Sequence, residues 1–386
     1  MKSGNMSFEQ GPIRPPSEAQ SLLIRVTRNC PWNQCLFCPV YKGKKFSLRT
    51  VEEITKDIRA AKNIASDIKS LSWEMGLSGA VNEHLIRRIF EGGAFSEQYR
   101  SVAAWLFYGT GAVFLQDADN LVMKAADLVE VLKCLREEFP EITRVTTYSR
   151  SRTIVRKSLD SLKKIRDAGL NRVHIGLESG YDPLLKFMRK GVSAEQHVTA
   201  GRLVIEAGME LSEYVMPGLG GTAMWREHAI ETARVLNRIN PHFIRLRSLR
   251  IPPSIPLYGK VRSGEFVQSG DELVVKEIRL FIETLDGITS TVTSDHIMNL
   301  LEDVSGKLPG DKARMLEAIG EYERLSPSDR IIYRIGRRAG EYRNPGDLKT
   351  DDYTYGKIRG LMNEITRVEG APGLERFINE LADRYV

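Results

Sequence analysis

The chain has 386 residues and a formal charge of +6, from 56 Lys and Arg against 50 Asp and Glu. With 42% apolar and 27% charged residues it has the make-up of a globular protein with a sizeable core, and no run approaches the ~18–20 apolar residues that span a bilayer, so no membrane partner is expected. The first twenty residues, with Gly4, Gly11, Pro12, Pro15 and Pro16, lack the apolar stretch of a secretory signal, so a reducing, cytoplasmic setting is expected, and four cysteines in a chain this long exclude a disulfide framework.

Residues 1–20 are expected to form a flexible N-terminal lead. The first strand runs from Leu22 to Thr27 and opens into Asn29-Cys30-Pro31-Trp32-Asn33-Gln34-Cys35-Leu36-Phe37-Cys38. Three thiolates this close can hold three irons of a cubane cluster and leave the fourth iron open, which is a layout for chemistry. A structural zinc site takes four ligands. The remaining cysteine, Cys134, falls in a helical pattern and is expected as a small buried hydrophobe. Just beyond the trio lie Lys42, Lys44, Lys45 and Arg49, read as a solvated basic face.

A helix is predicted from about Thr50, with Glu52 and Glu53 in its first turn. A mostly helical insertion follows, over about 55–108. The second strand is Ala112–Leu115, followed by Gln116-Asp117-Ala118-Asp119-Asn120, with a helix from about Ala125 to Phe139. The third is Arg144–Tyr148, leading into Ser149-Arg150-Ser151-Arg152, and its helix runs from about Leu159 until Gly169 stops it. The fourth, Arg172–Gly176, runs into Leu177-Glu178-Ser179-Gly180; the fifth, Leu211–Met216, into Pro217-Gly218-Leu219-Gly220-Gly221; the sixth is Phe243–Leu249. This alternation predicts an α/β fold, a partial (β/α)6 TIM-like barrel over residues 21–257 with its chemistry on the loops after the strands. Residues 258–386 read as a C-terminal helical region, with helices over Asp271–Leu285, Lys312–Tyr322 and Lys357–Tyr385 and a solvated basic face at Arg330, Arg334, Arg337 and Arg338.

The cysteine loop and the strand-four segment, Arg172–Gly180 followed by Leu184-Leu185-Lys186-Phe187-Met188-Arg189-Lys190-Gly191, together resemble the radical S-adenosylmethionine (SAM) superfamily. Within it they are most similar to the branch of the oxygen-independent coproporphyrinogen oxidases, the tRNA methylthiotransferases and the Elongator catalytic subunit. The usual cysteine spacing is C-x3-C-x2-C with an aromatic before the last; here the first gap holds four residues, Pro31 to Gln34, and Phe37 precedes Cys38.

The resemblance implies an oxygen-sensitive enzyme in which Cys30, Cys35 and Cys38 hold a [4Fe–4S] cluster that cleaves SAM to a 5′-deoxyadenosyl radical. It places Phe37 near the adenine or the cluster, and Glu178 on the SAM ribose or amino acid with Ser179 as a second candidate. The Gly-Gly-Glu common after strand two is absent, so Gln116 or Asp117 is the candidate for the SAM ammonium; Asp119 reads better as a helix cap. Tyr148, Arg150 and Arg152 offer a hydroxyl and two guanidiniums, one suited to the SAM carboxylate, and Pro217 and Gly218 would lie against the adenine. The sixth strand carries Arg245, Arg247 and Arg250, where an inward guanidinium suits an anionic substrate and a salt bridge is the simpler expectation; His296 is a further substrate-site candidate. The implied partners are an electron donor such as flavodoxin or ferredoxin, and a substrate of unidentified class, RNA included. The alternatives are an RNA-modifying enzyme of this kind and a non-catalytic iron–sulfur or zinc-binding protein.

Overall fold

A computed structural model describes residues 7–384. Its strands are β1 (Leu22–Arg25), β2 (Thr27–Arg28), β3 (Ser47–Leu48), β4 (Ala112–Gln116), β5 (Arg144–Ser149), β6 (Arg172–Glu178), β7 (Glu210–Val215), β8 (Phe243–Leu246), β9 (Thr291–Thr293) and β10 (Gly306–Lys307). The helices up to β8 are α1 (Val51–Glu74), α2 (Glu83–Glu91), α3 (Glu97–Tyr108), α4 (Ala125–Glu138), α5 (Ser151–Ile154), α6 (Leu159–Asp167), α7 (Asp182–Phe187), α8 (Ala194–Glu206) and α9 (Gly221–Ile239). Beyond it lie α10 (Pro256–Arg262), α11 (Asp271–Thr284), α12 (Lys312–Glu323), α13 (Pro327–Ala339) and α14 (Asp352–Asp383). Among the described residues, no helix is long and apolar enough to cross a membrane.

Two compact units make up the chain: one takes the chain up to Asn33, Val40–Ile175 and Thr199–Leu211, the other Gln34–Pro39, Gly176–Val198 and everything from Ser212. In the first, β1, β4, β5 and β6 lie side by side in sequence order, all parallel, with registers such as Leu22↔Val113, Val113↔Val145 and Thr146↔Arg172. In the second, β7, β8 and β9 are parallel, through Ser212↔Phe243 and Phe243↔Thr291, and β10 returns antiparallel to β9. Sequential order with helical crossovers is the winding of a barrel-type α/β fold, and all six expected strands form.

Helix α1 begins where its chemistry dictates. Thr50 accepts from the Glu53 amide while the Glu53 carboxylate accepts from the Thr50 amide, closing a capping box. Ile54, Ile58, Ala61, Ala65 and Ile68 then form one buried stripe at helical spacing. The segment expected as a flexible lead is tied to the fold at several points where it is described, while residues such as Pro12, Arg14 and Pro16 are exposed. Phe8 is buried, Glu9 bridges Arg25 and Arg28, and the buried Glu18 carboxylate accepts from Ser21 and pairs with Arg144. Residues 1–6 of that lead lie outside the described residues.

Two expectations are corrected. Arg49 is no part of a solvated face: it is buried, held by Asp57 at 2.8 Å and by the Arg25 carbonyl at 2.7 Å. Arg334, Arg337 and Arg338 are likewise buried on α13 and paired with Asp271, Glu375 and Glu302. The C-terminal region, where helices dominate, also contributes Thr291–Thr293 as a strand parallel to β8.

Candidate active site

The cysteine loop is built by asparagines. Asn29 and Asn33 both adopt left-handed backbone angles (φ 67° and 47°), which Asn tolerates better than most residues. The Asn29 side chain donates to the Lys45 carbonyl, that of Asn33 to the carbonyls of Tyr41 and Lys44, and Lys42 donates to the Asn33 carbonyl. The Asn33 amide donates to the Cys30 sulfur at 3.4 Å. The Trp32 ring, in the long first gap, lies under Arg150 at 5.1 Å and Arg152 at 5.8 Å.

Cys30, Cys35 and Cys38 are partly exposed and take part in no disulfide among the described residues. Cys35 and Cys38 pack on an apolar cluster that includes Leu36, Phe37, Leu184, Met188 and Leu219. Leu36 is pinned on both sides, its amide donating to the Met188 carbonyl and its own carbonyl accepting from Leu257. Among the described residues no three His, Cys, Asp or Glu converge on one metal ion. A cubane needs something else, one thiolate per iron, and three cysteines outside any disulfide fit that demand.

Glu178 ends β6 with φ 65°, a left-handed angle that is costly for a residue with a side chain. Its carboxylate lies 3.1 Å from Lys190 Nζ, and that ammonium stands 5.5 Å from the centre of the buried Phe37 ring. Gly176 leaves the room: a methyl there would collide with the Glu178 carboxylate and come within 3.0 Å of Lys190 Nζ. Glu213 on β7 is fully buried, and neither carboxyl oxygen has a hydrogen-bond partner among the described residues. Burial pushes its pKa well up, Lys190 opposes the shift and Glu178 adds to it. Sequence reasoning missed Lys190 and Glu213. The signal for Glu213 was a charged residue inside an otherwise buried parallel strand.

Behind this cluster lies a buried hydrogen-bonded chain. Ser179 Oγ accepts from the Tyr181 amide at 3.1 Å and sits 2.9 Å from His228 Nδ1. His228 Nε2 faces the Met216 carbonyl at 3.1 Å, which makes it the donor and leaves Nδ1 to accept. Glu277 accepts the Gly218 amide at 2.8 Å, and Leu249 donates to the Pro217 carbonyl. Burial lowers the His228 pKa to about 4 and raises that of Glu277 to about 8. Ser179 and Gly218 are thus tied to one internal support, and the Ser179 hydroxyl is spent there.

The remaining candidates have other partners. Gln116 is buried: its carbonyl accepts from Gly11, and its amide donates to the carbonyls of Gly11 and Ile13. Asp117 accepts two bonds from Arg25 and one from the Asn29 amide, so it anchors the base of the cysteine loop. Contrary to the expectation from the sequence, Asp119 does not cap the helix that follows it; it is buried and accepts instead from Ser149, the Arg150 amide and Thr153, tying the β4 loop to the end of β5 and to α5. Tyr148 packs against Phe114 and His174. Arg250 pairs with Asp383 at 2.6 Å. Burial and the nearby Arg247 lower the His296 pKa to about 4, and its Nδ1 accepts from the Met298 amide.

Residues 96–233 match the model of the Radical SAM superfamily. Two curated proteins described as tRNA uridine(34) acetyltransferases, from Methanocaldococcus infernus and Methanocaldococcus jannaschii, are 24% and 23% identical over 123 residues, or 32% of this chain. The match spans only 22% of the length of either. Among solved structures, methylornithine synthase (PylB) is 17% identical with a TM-score of 0.43, covering 78% of this chain and 69% of that one. The hydrogenase maturase HydG is 13% identical with a TM-score of 0.42, covering 94% and 77%. Over residues 96–233 the chain is thus similar to the radical SAM domain, the domain of a family that works with a [4Fe–4S] cluster and SAM.

Proposed function

We propose that the protein cleaves SAM reductively and uses the resulting radical to take hydrogen from a substrate. The observation that carries this is the joint presence of three cysteines in one short loop, none in a disulfide, and the Glu178–Lys190 pair at the end of β6. Cys30, Cys35 and Cys38 would hold a [4Fe–4S] cluster. When bound and reduced, that cluster supplies the electron that splits SAM into methionine and a 5′-deoxyadenosyl radical.

The chain's own residues bind, orient and screen. The Glu178 carboxylate accepts from ribose hydroxyls or the amino group, and Lys190 pairs with the SAM carboxylate while holding Glu178 in place. Phe37 covers the adenine side with an apolar ring. Pro217 and Gly218 present bare backbone, steadied by Glu277. Arg150 and Arg152 hold the long cysteine loop through Trp32. An electron donor of the flavodoxin or ferredoxin kind completes the reading.

The test is anaerobic reconstitution, dithionite reduction and addition of SAM, with 5′-deoxyadenosine read by mass spectrometry. Wild type is expected to form the nucleoside. Cys30→Ala, Cys35→Ala and Cys38→Ala are expected to lose the cluster absorbance and the nucleoside while folding normally. A folded wild type that takes up zinc and no iron or sulfide would overturn the reading.

A second reading, an enzyme that modifies RNA, has one observation in its favour, the two archaeal relatives named for tRNA chemistry. Charge argues less for it than the composition suggests, because Arg49, Arg334, Arg337 and Arg338 are buried and paired. Nucleoside formation accelerated by transfer RNA would favour it.

A further inference from the structure

We propose that Arg245 is the anchor for an oxyanion group, carboxylate or phosphate, on the substrate. This rests on reading the chain as an enzyme and names the chemical class its second ligand carries.

Strands of a parallel sheet are ordinarily apolar on both faces. The register of β7, β8 and β9 aligns Ser212 with Phe243 and Thr291, and Tyr214 with Arg245 and Thr293. The residues of opposite parity on β8 and β9, Ile244, Leu246 and Val292, are buried and apolar, and the β7 residue in register with Ile244 is the buried Glu213. On β8 and β9 one face is therefore ordinary core, and the other sets hydroxyls around one guanidinium. Arg245 sits near the C-terminal end of its strand, the end at which barrel-type folds bind ligands.

That guanidinium is buried and incompletely neutralised. Nε donates to Ser212 Oγ at 3.1 Å, and Nη1 reaches Thr293 Oγ1 at 3.5 Å. The Phe243 ring lies 5.5 Å away. The nearest carboxylate, Asp295, is 3.8 Å from Nη1, beyond hydrogen-bond length, and is 52% exposed. Nη2 has no acceptor among the described residues. The other buried arginines of this unit are held differently: Arg334 by two carboxylates at 2.7 and 2.8 Å, Arg338 by one at 3.1 Å and Arg337 by one at 3.4 Å. A buried cation without a contact anion is unfavourable unless something else supplies the charge. Neutral hydroxyls fix the base of the fork, and its free edge matches the two oxygens of a carboxylate or phosphate.

The test is a titration of the full-length protein, labelled with 15N-arginine, with inorganic phosphate, with acetate, and with chloride at matched ionic strength. The side-chain Nε signal of Arg245 is assigned by its loss in Arg245→Lys, or by its displacement in Asp295→Asn should the first variant not fold. A saturable shift of that signal with phosphate or acetate, and none with chloride, is expected. Arg245→Lys keeps the charge but not the fork, so any folded variant binds about tenfold more weakly. Saturation by phosphate alone identifies a phosphorylated substrate, and by acetate alone a carboxylic acid. An Arg245 signal that does not saturate with either anion, or responds equally to chloride, overturns the proposal. The titration needs neither cluster nor SAM, so its failure leaves the radical reading standing, and the converse holds.

Discussion

Lys190 Nζ lies 3.1 Å from the Glu178 carboxylate, and both side chains are almost wholly buried. The pair joins the end of β6 to the segment after α7, twelve residues later in the chain. A buried ion pair contributes little net stability when intact, but breaking one by removing a single partner strands the other charge. The arrangement holds Glu178 in its left-handed conformation with its carboxylate already oriented, and a site that is pre-organised loses less entropy on binding.

Lys190→Met is therefore expected to destabilise the protein by about 3 kcal/mol in urea titrations, the range for a stranded buried charge. Glu178→Gln with Lys190→Met recovers most of that loss, because neither charge remains. Affinity for SAM, measured by calorimetry on the reconstituted protein, falls at least about tenfold in the single and the double variant alike. Recovery of SAM affinity in the double variant would show that the pair has only a structural role.

Gln116 makes the opposite case. It makes three hydrogen bonds to the backbone of Gly11 and Ile13 from a fully buried position. Gln116→Ala removes them and leaves backbone groups unpaired, so a loss of about 3 kcal/mol is expected at roughly 1 kcal/mol per bond. SAM affinity of the folded variant stays within about twofold of wild type. A large loss of SAM affinity without a loss of stability would return the side chain to the cofactor site.

The fold was legible because parallel strands leave short apolar runs bounded by helical patterns, and all six expected strands form at the expected places. The cysteine loop and Glu178 stood out as candidates because chemistry-bearing residues stood at the ends of those runs. Lys190 was not, because nothing local marks a lysine that folds back twelve residues onto a carboxylate. Arg49, Arg334 and Arg338 were misjudged for the same reason. A cluster of arginines in sequence reads as a wet surface until its carboxylates are seen, and Asp271 lies more than sixty residues from Arg334 and Arg338. β9 escaped notice because three residues, Thr291 to Thr293, carry too short a pattern to be distinguished from a loop.

Stability should depend on pH through Glu277 and His228, which lie 3.5 Å apart. The folded pKa of Glu277 is raised to about 8, so this group's favourable contribution is present below its ordinary value and is lost as pH rises through 8. The folded pKa of His228 is lowered to about 4, so its contribution is present above 6.5 and lost as pH falls through 4. Between about 4.5 and 6.5 the two slopes oppose. Above 6.5 only Glu277 acts, and the protein should lose about 2 kcal/mol between pH 6.5 and 8 at ~1.4 kcal/mol per pH unit. Glu277→Gln, which keeps an acceptor for the Gly218 amide, flattens that limb. Urea titrations of both proteins across this range give the slopes, and parallel slopes would exclude Glu277 as the source.

Trp32 occupies the extra length of the Cys30–Cys35 gap, with Arg150 and Arg152 over its ring. At a half-exposed site each cation–π contact contributes about 0.5–1 kcal/mol, so the two together steady the loop by about 1–2 kcal/mol without governing the global fold. Trp32→Leu keeps apolar bulk and removes the π face. Its unfolding midpoint should stay close to wild type, while the reconstituted protein loses iron to a chelator faster by about tenfold, because the loop opens more often. Trp32→Phe, which keeps an aromatic face of weaker attraction, should fall between the two. Equal rates of iron loss in all three proteins would mean that the loop is held by its other bonds, at Asn29, Asn33 and Leu36, without help from the Trp32 ring.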